Sequence, residues 1–446
     1  MDNYNIDDII VAQATPPGSS AIAVIRISGI ALKDLFVQLT KITKIKERFS
    51  YTCNIYKKNT QHILDQCIVV FFKNPKSFTG QDIIEISCHG SKYIIDEIIT
   101  NICLYDNVRI ASPGEFSYRA LINGKINLSQ AESIQEIITS NARLIKEESI
   151  LNNKGKLTDT INDILQETSH LLSHIEHELD FSEEEITHIN KKYIYYKIDK
   201  IEKQVKNMLN SAPYSQIIKN GLRVAIIGKP NAGKSTLFNT LIGQYRSIVS
   251  KQAKTTRDSI EAHYESNGID ICLIDTAGYI KTDNQIDQES IDRTILEINN
   301  ADIVVVLDPK NPKLSIKKLL SKKKHILYVK SKYDINKVIE EDCLHISSNT
   351  GYGIKEFSTE LQTTIDNIIY KNRGDKFYIN KRQIELIKNA YTILQESQEQ
   401  LKNNQIMTDI LATYLHAFND QITQINNQSS REDIINNIFS EFCVGK

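Results

Sequence analysis

The run from Gly228 to Ser235, "GKPNAGKS", sets four residues between two glycines and follows the second with Lys234 and Ser235. A loop of this kind turns its backbone N–H groups onto phosphate oxygens. The lysine neutralises the β- and γ-phosphates, and the serine hydroxyl serves Mg²⁺. Here the loop follows the apolar segment "LRVAIIG" and opens "KSTLFNTLI", so a strand delivers it and a helix N-terminus adds favourable potential for an anion. Forty-one residues beyond Lys234, "LIDTAG" closes a second buried strand. Asp275 is placed to hold Mg²⁺ through water, and the Gly278 N–H to face the γ-phosphate. Between them "KTTRD" offers Thr256 as a second Mg²⁺ contact in a loop that orders around the γ-phosphate. "KSKYD" ends with Asp334, whose carboxylate suits the two donors on the guanine edge, and "ISSNTG" supplies Ser347 and Ser348 on the base side. Four ordered elements at these spacings imply a guanine-specific GTP hydrolase.

The elements needed to position these residues are legible around them. From 221 to 370, apolar strands ("LRVAIIG", "IDICLID", "ADIVVVLD", "HILYVK") alternate with helical segments, the βα pattern of a parallel sheet. Residues 1 to about 118 read as an α+β domain: strands in "DDIIVAQAT", "SAIAVIRISG", "HILDQCIVVFFK", "DIIEISCHG" and "VRIAS", and a helix in "SKYIIDEIITNICLY". Proline-free helical periodicity runs from about 119 to 210 and returns from about 380 to the end. The expectation is a multidomain α/β protein in four segments: 1–118, 119–215, 216–373 and 374–446. The two helical stretches form one bundle into which the α/β domain is inserted.

Composition narrows the partners. Lys plus Arg number 54 and Asp plus Glu 55, so nothing global marks a nucleic-acid binder, and RNA would be met by a local patch or through a second protein. No apolar run approaches the ~18–20 residues that cross a bilayer. Seven scattered cysteines without a CxxC pair suit a reducing cytoplasm, not a disulfide or zinc framework. His170, His174 and His177 share a helical face at a spacing that could hold a metal, yet a solvated or interhelical face is the simpler reading. Phe181 with Glu183 to Glu185 reads as a helix end or linker, and His89 as a turn or capping residue. Cys443 lies four residues from the end in "EFCVGK". Gly445 and Lys446 do not fit a prenylation box, which leaves a packing cysteine or a reactive thiol. Arg26 in "AIAVIRIS" and Glu85 in "DIIEIS" are charges inside apolar strands.

With "PNAGKS", "TTRD" and "DTAG" in place, the chain resembles the tRNA-modifying GTPase family called MnmE or TrmE. "VAQATPPG", "IRISG", "SFTG", "PGEFSYRA", "LSQAE" and the terminal "FCVGK" carry the resemblance across essentially the whole chain. It implies a folate-binding N-terminal domain that dimerises, a discontinuous helical domain, and an inserted Ras-like P-loop GTPase domain. It also implies a cytoplasmic homodimer. With an FAD-containing partner subunit, in a heterotetramer, it would modify C5 of the wobble uridine (position 34) of certain tRNAs, with a carboxymethylaminomethyl or aminomethyl group. The carbon unit would come from methylenetetrahydrofolate.

Residue by residue, the resemblance implies K⁺ held by Asn231, Ser250, Gln252 and Thr255 in the place of an arginine finger, and Mg²⁺ held by Ser235 and Thr256. It implies nucleotide contacts from Asn231, Ala232, Gly233, Lys234, Ser235 and Thr236. Further contacts come from Ser250, Lys251, Gln252, Ala253, Lys254, Thr255 and Thr256; from Asp275, Thr276, Ala277 and Gly278; and from Ser331, Lys332, Asp334, Ser347 and Ser348. Arg26, Glu85 and Lys125 match folate-contacting positions, and Lys446 would line the same pocket beside Cys443 as a functional thiol. Three departures stand out. Lys254 replaces a glycine beside the K⁺ position, Ser331 replaces the asparagine of the base motif, and Asp287 replaces the water-orienting glutamate with a shorter carboxylate. The expectation is a working but slower GTPase. A ribosome-assembly GTPase would share the central motifs but not the two ends of the chain. A non-catalytic scaffold would share the fold but fail to hydrolyse GTP.

Overall fold

The structure is a computed structural model. It describes residues 6–140, 142–180, 191–244, 251–252, 260–276, 295–315, 325–335, 343–370, 376–402, 408–426, 435, 438–440, 442 and 444–445. The chain forms two compact units: Met1–Ile138 with Leu151–Asn190 and Gln400–Lys446, and Thr139–Ile150 with Lys191–Glu399. Each unit therefore draws on both helical stretches, a different grouping from the four expected segments. No helix among the described residues is long and apolar enough to cross a membrane.

The first unit holds a six-stranded sheet. Its strands are β1 (Ile9–Gln13), β2 (Ile22–Gly29), β3 (Ser50–Tyr56), β4 (Ile63–Phe72), β5 (Asp82–His89) and β6 (Val108–Ile110), in the order β3-β4-β5-β2-β1-β6. All pairs are antiparallel except β1 with β6. Alternation decides the faces. Ala23, Ile25 and Ile27 of β2 and Ile84 and Ile86 of β5 are fully buried in a core with the helices Lys33–Thr40 and Lys92–Cys103. Arg26 and Glu85 therefore point to the other face. The helix Lys33–Thr40 and strand β3 were not expected; the helix is only two turns, too short for a periodic signal.

In the same unit the end of the chain closes against the segment after β6. Ile435, Phe439 and Phe442 bury against Leu121, Leu128 and Ala131. A Cβ at Gly445 (φ +93°) would overlap the Gln13 carbonyl oxygen, so only glycine lets the tail run this close to β1.

The second unit holds a seven-stranded sheet: β7 (Leu222–Gly228), β8 (Lys251–Gln252), β9 (Ile260–Ser266), β10 (Ile269–Asp275), β11 (Ile303–Asp308), β12 (His325–Lys330) and β13 (Leu344–His345), in the order β13-β12-β11-β7-β10-β9-β8. The five strands from β13 to β10 are parallel. The central strands β7, β10 and β11 are largely apolar because both of their faces are buried. The expected all-parallel sheet is corrected at one edge, where β9 runs antiparallel to β10 and β8 antiparallel to β9. The tight turn at Asn267 and Gly268, both at positive φ, reverses the chain there. Entry and exit of this sheet are stitched together. Phe377 N donates to Ser211 Oγ (3.1 Å) and Ile379 N to Ser215 Oγ (2.9 Å), so the chain leaves beside the helix Ala212–Asn220 through which it arrives.

Candidate functional site

In the second unit, β7 ends at Gly228, where a Cβ would overlap the Leu307 carbonyl of β11, and the loop turns through Asn231 (φ +61°) and Gly233 (φ +95°). The helix Lys234–Gln244 follows at once, held by Leu237, Phe238 and Leu241 in the core. Lys234 Nζ donates to the carbonyls of Gly228 (3.2 Å) and Lys229 (3.1 Å) across the mouth of the loop. Burial holds its pKa below the usual lysine value, with Asp275 acting the other way. Asp275, at the end of β10, is 8% exposed. Burial raises its pKa, opposed by a hydrogen bond from Ser235 and by the charge of Lys234. Its Oδ1 is buried without a hydrogen-bond partner. An unpaired carboxylate oxygen beside the Ser235 hydroxyl is the hard-oxygen donor set that Mg²⁺ takes. Thr276 is spent differently, its hydroxyl donating to Ile226 O (2.8 Å) and tying β10 to β7.

The base side forms a pocket lined by Ala232, Gly233, Thr236, Ser331, Lys332, Asp334, Ser347, Ser348 and Asn349. Backbone bonds shape it. Ser331 N donates to Asp308 O, Tyr333 N to Ile346 O, and Gly351 N to Ser347 O. Lys332 takes φ +56°, and the Tyr333 ring stacks on Tyr352 at 4.7 Å. The Ser331 hydroxyl is buried with no hydrogen-bond partner. Sequence reasoning missed Asn349, although "ISSNTG" contains it. It also missed Asp308, buried at the end of β11. Burial opposes the charge of Asp308, but the amides of Lys310 and Asn311 and the ammonium of Lys229 (3.3 Å) outweigh it and hold the carboxyl below its usual range. Asp308 thereby ties β11 to the phosphate loop.

Other expected residues fall elsewhere. Ser250, Ala253, Lys254, Thr255, Thr256, Ala277, Gly278 and Asp287 lie outside the described residues, as do Cys443, Lys446, Phe181 and Glu183 to Glu185. Lys251 and Gln252 form the backbone of β8. His170, His174 and His177 are all exposed on the helix Lys156–Asp180, the solvated face expected for them. His89 is neither turn nor cap: it ends β5, and its ring meets Asp65 at 2.7 Å.

In the first unit, the structure brings Arg26 and Glu85 together. They are register partners on β2 and β5, with the guanidinium and carboxylate 2.7 Å apart and both side chains partly exposed. The Arg26 guanidinium lies 5.7 Å from the Phe78 ring centre and 5.8 Å from that of Phe116. Phe78 is exposed beside this donor–acceptor pair, whereas Phe116 is fully buried against it. The side chain of Lys125 lies over Gly80, where a Cβ would stand 3.2 Å from Lys125 Cε. Beneath, Ser28, Thr79, Gln81 and Arg119 form a buried chain of hydrogen bonds. Arg119 is fully buried and meets Asp8 (2.6 Å) and Glu115 (3.0 Å), and Arg109 also binds Glu115 (2.6 Å). Gly445 abuts Gln13, which pairs with Ile25, the neighbour of Arg26.

Comparison with known proteins follows this geometry. Residues 9–125 match the family model described as the GTP-binding protein TrmE N-terminus, and residues 128–443 match the MnmE helical domain. The chain is 34% identical to the tRNA modification GTPase MnmE of Francisella tularensis subsp. holarctica (strain OSU18), covering 98% of this chain and 99% of that protein. Identity is 34% to the protein of that name in F. tularensis subsp. novicida (strain U112) and 33% to that of F. philomiragia, with the same coverage. Among solved structures, the G domain of the T. maritima FeoB iron transporter matches at 24% identity and a TM-score of 0.27, covering 34% of this chain and 98% of that one.

Proposed function

The chain belongs to the MnmE family of tRNA modification GTPases, and from that premise we propose that it hydrolyses GTP in the modification of tRNA. The observation that carries the chemistry is the meeting of Lys234, Ser235 and the unpaired Asp275 oxygen at one loop, beside a pocket that holds Asp334. Lys234 and the loop amides bind and orient the β- and γ-phosphates, and Asp334 accepts from the guanine edge. Ser235 and Asp275 would hold Mg²⁺, which offsets charge on the phosphates. Asn231, at the bend of the loop, suits K⁺ together with Ser250, Gln252 and Thr255, and Asp287 orients water.

Arg26, Glu85 and Lys125 would hold a folate that supplies a one-carbon unit, and Cys443 and Lys446, which lie outside the described residues, would act with it. The finer reading is addition of an aminomethyl or carboxymethylaminomethyl group to C5 of the wobble uridine. It works through a homodimer joined to an FAD-containing subunit in the cytoplasm. The segments 1–118, 119–215, 216–373 and 374–446 serve as folate, helical, GTPase and helical parts. GTP turnover by the full chain in K⁺ against Na⁺ buffer tests the ion: faster turnover in K⁺ is expected, and equal rates would overturn that part.

A further inference from the structure

We propose that Glu261, His263 and Cys272 form a binding site for a borderline divalent cation, zinc by its choice of ligands, across the β9–β10 pair of the second sheet. Glu261 and His263 are two residues apart on β9, so both side chains leave the same face. Register then sets Cys272 of β10 directly opposite His263. One ligand atom from each of the three lies within 4.8 Å of the others. The same alternation sends Ile271, Leu273 and Asp275 to the other face, and Cys272 stands three residues, roughly 10 Å along the strand, from Asp275. The cluster is therefore separate from the phosphate loop and its Mg²⁺ ligands.

The surroundings are those of a ligand set. His263 Nδ1 bonds Asp270 Oδ2 at 2.8 Å. A carboxylate can only accept there, so Nδ1 carries a proton and Nε2 is the ring nitrogen left to meet a cation. This carboxylate–histidine arrangement is the one that orients metal-bound imidazoles. Glu261 is steadied by Arg223 (3.0 Å), which also binds Glu297 (3.2 Å). Glu261, Asp270 and Glu297 thus crowd one thiol and one guanidinium. Burial, then the charge of Glu261, raise Cys272 to about 12 against the opposing effect of Arg223. A dication would reverse that and hold the sulfur as thiolate. Thiolate, imidazole and carboxylate together select zinc over Mg²⁺ or Ca²⁺, with water free to take the fourth position. A cation here would fasten β9 to β10, the strands that follow the Thr256 loop and end at Asp275.

The test uses the full chain, stripped with a chelator and titrated with Zn²⁺ against a competing chromophoric chelator, and separately with Co²⁺ read by its thiolate charge-transfer band. One tight equivalent and the cobalt–thiolate band are expected. His263→Gln, at a position one-third exposed, and Cys272→Ser should each remove both while far-UV circular dichroism stays unchanged. Asp270→Asn, which acts through the His263 ring it holds, should weaken binding about 10–100-fold. Absence of a tight equivalent, or one that survives both His263→Gln and Cys272→Ser, would overturn the site. Because His263→Gln lies on the surface, the proposal stays testable even if Cys272→Ser fails to fold.

Discussion

Arg26 and Glu85 face each other across β2 and β5 with guanidinium and carboxylate 2.7 Å apart, on the sheet face opposite the core that holds Ile25 and Ile86. Both side chains are partly exposed, so the pair adds no more than about 1 kcal/mol to stability. Its value lies in presenting a fixed donor and acceptor. Arg26→Ala and Glu85→Ala should each weaken folate binding roughly 10–100-fold, the loss of one charge-assisted contact of about 1.5–3 kcal/mol. Thermal midpoints should hardly move, and GTP turnover should stay unchanged. Titration of the full chain with a reduced folate measures this; undiminished affinity in both variants would remove the pocket.

Arg119 offers the opposite balance. It is fully buried and holds Asp8 and Glu115, so removing it leaves Arg109 to hold both carboxylates and leaves a buried site without its charge. Arg119→Met should cost about 3–5 kcal/mol in urea unfolding. Lys203→Ala, which breaks the exposed pair with Asp199, should leave the unfolding midpoint almost unmoved, because solvent screens that pair.

Asp308 gives the pH dependence. Its carboxyl lies below the usual range through the Lys310 and Asn311 amides and Lys229. A depressed folded-state value stabilises the fold above the unfolded value of about 3.9. That contribution is lost as pH falls through the folded value. Asp308→Asn should therefore lower stability by roughly 1.5–3 kcal/mol at neutral pH, with the gap to the parent closing in acid. Unfolding midpoints measured across pH decide it, and a gap that persists at low pH would contradict the charge-based role.

Ser331 and Asp334 divide affinity from choice of base. Ser331→Asn returns a longer amide to a buried hydroxyl site without a partner. It should tighten GTP binding roughly 2–10-fold, the worth of one neutral hydrogen bond. Asp334→Asn should cost at least about tenfold in GTP affinity and erase the preference over ATP. Competition binding with the two nucleotides reads both.

Much of this site was legible in the sequence. "GKPNAGKS" between an apolar strand and a helix located the phosphate loop, and the turns after β12 and β13 located the base pocket. The alternation in "IEAHYES" was equally available for β9, but its partner and direction depend on the turn at Asn267 and Gly268. Arg26 and Glu85 stood out as charges in apolar strands, yet only register shows that they meet. Asp8 and Arg119 are 111 residues apart, and no local pattern announces their pairing. The same holds for Gly445 and Gln13, whose contact depends on the packing of Phe439 and Phe442 several residues earlier.

The most direct measurement is nucleoside analysis of tRNA from a strain lacking this chain, complemented with the parent sequence or with Cys443→Ser. Loss of the C5-modified wobble uridine in the deletion strain is expected, with recovery by the parent. Cys443→Ser should fail to restore it while still hydrolysing GTP. An unchanged nucleoside profile in the deletion strain would contradict a role in wobble modification.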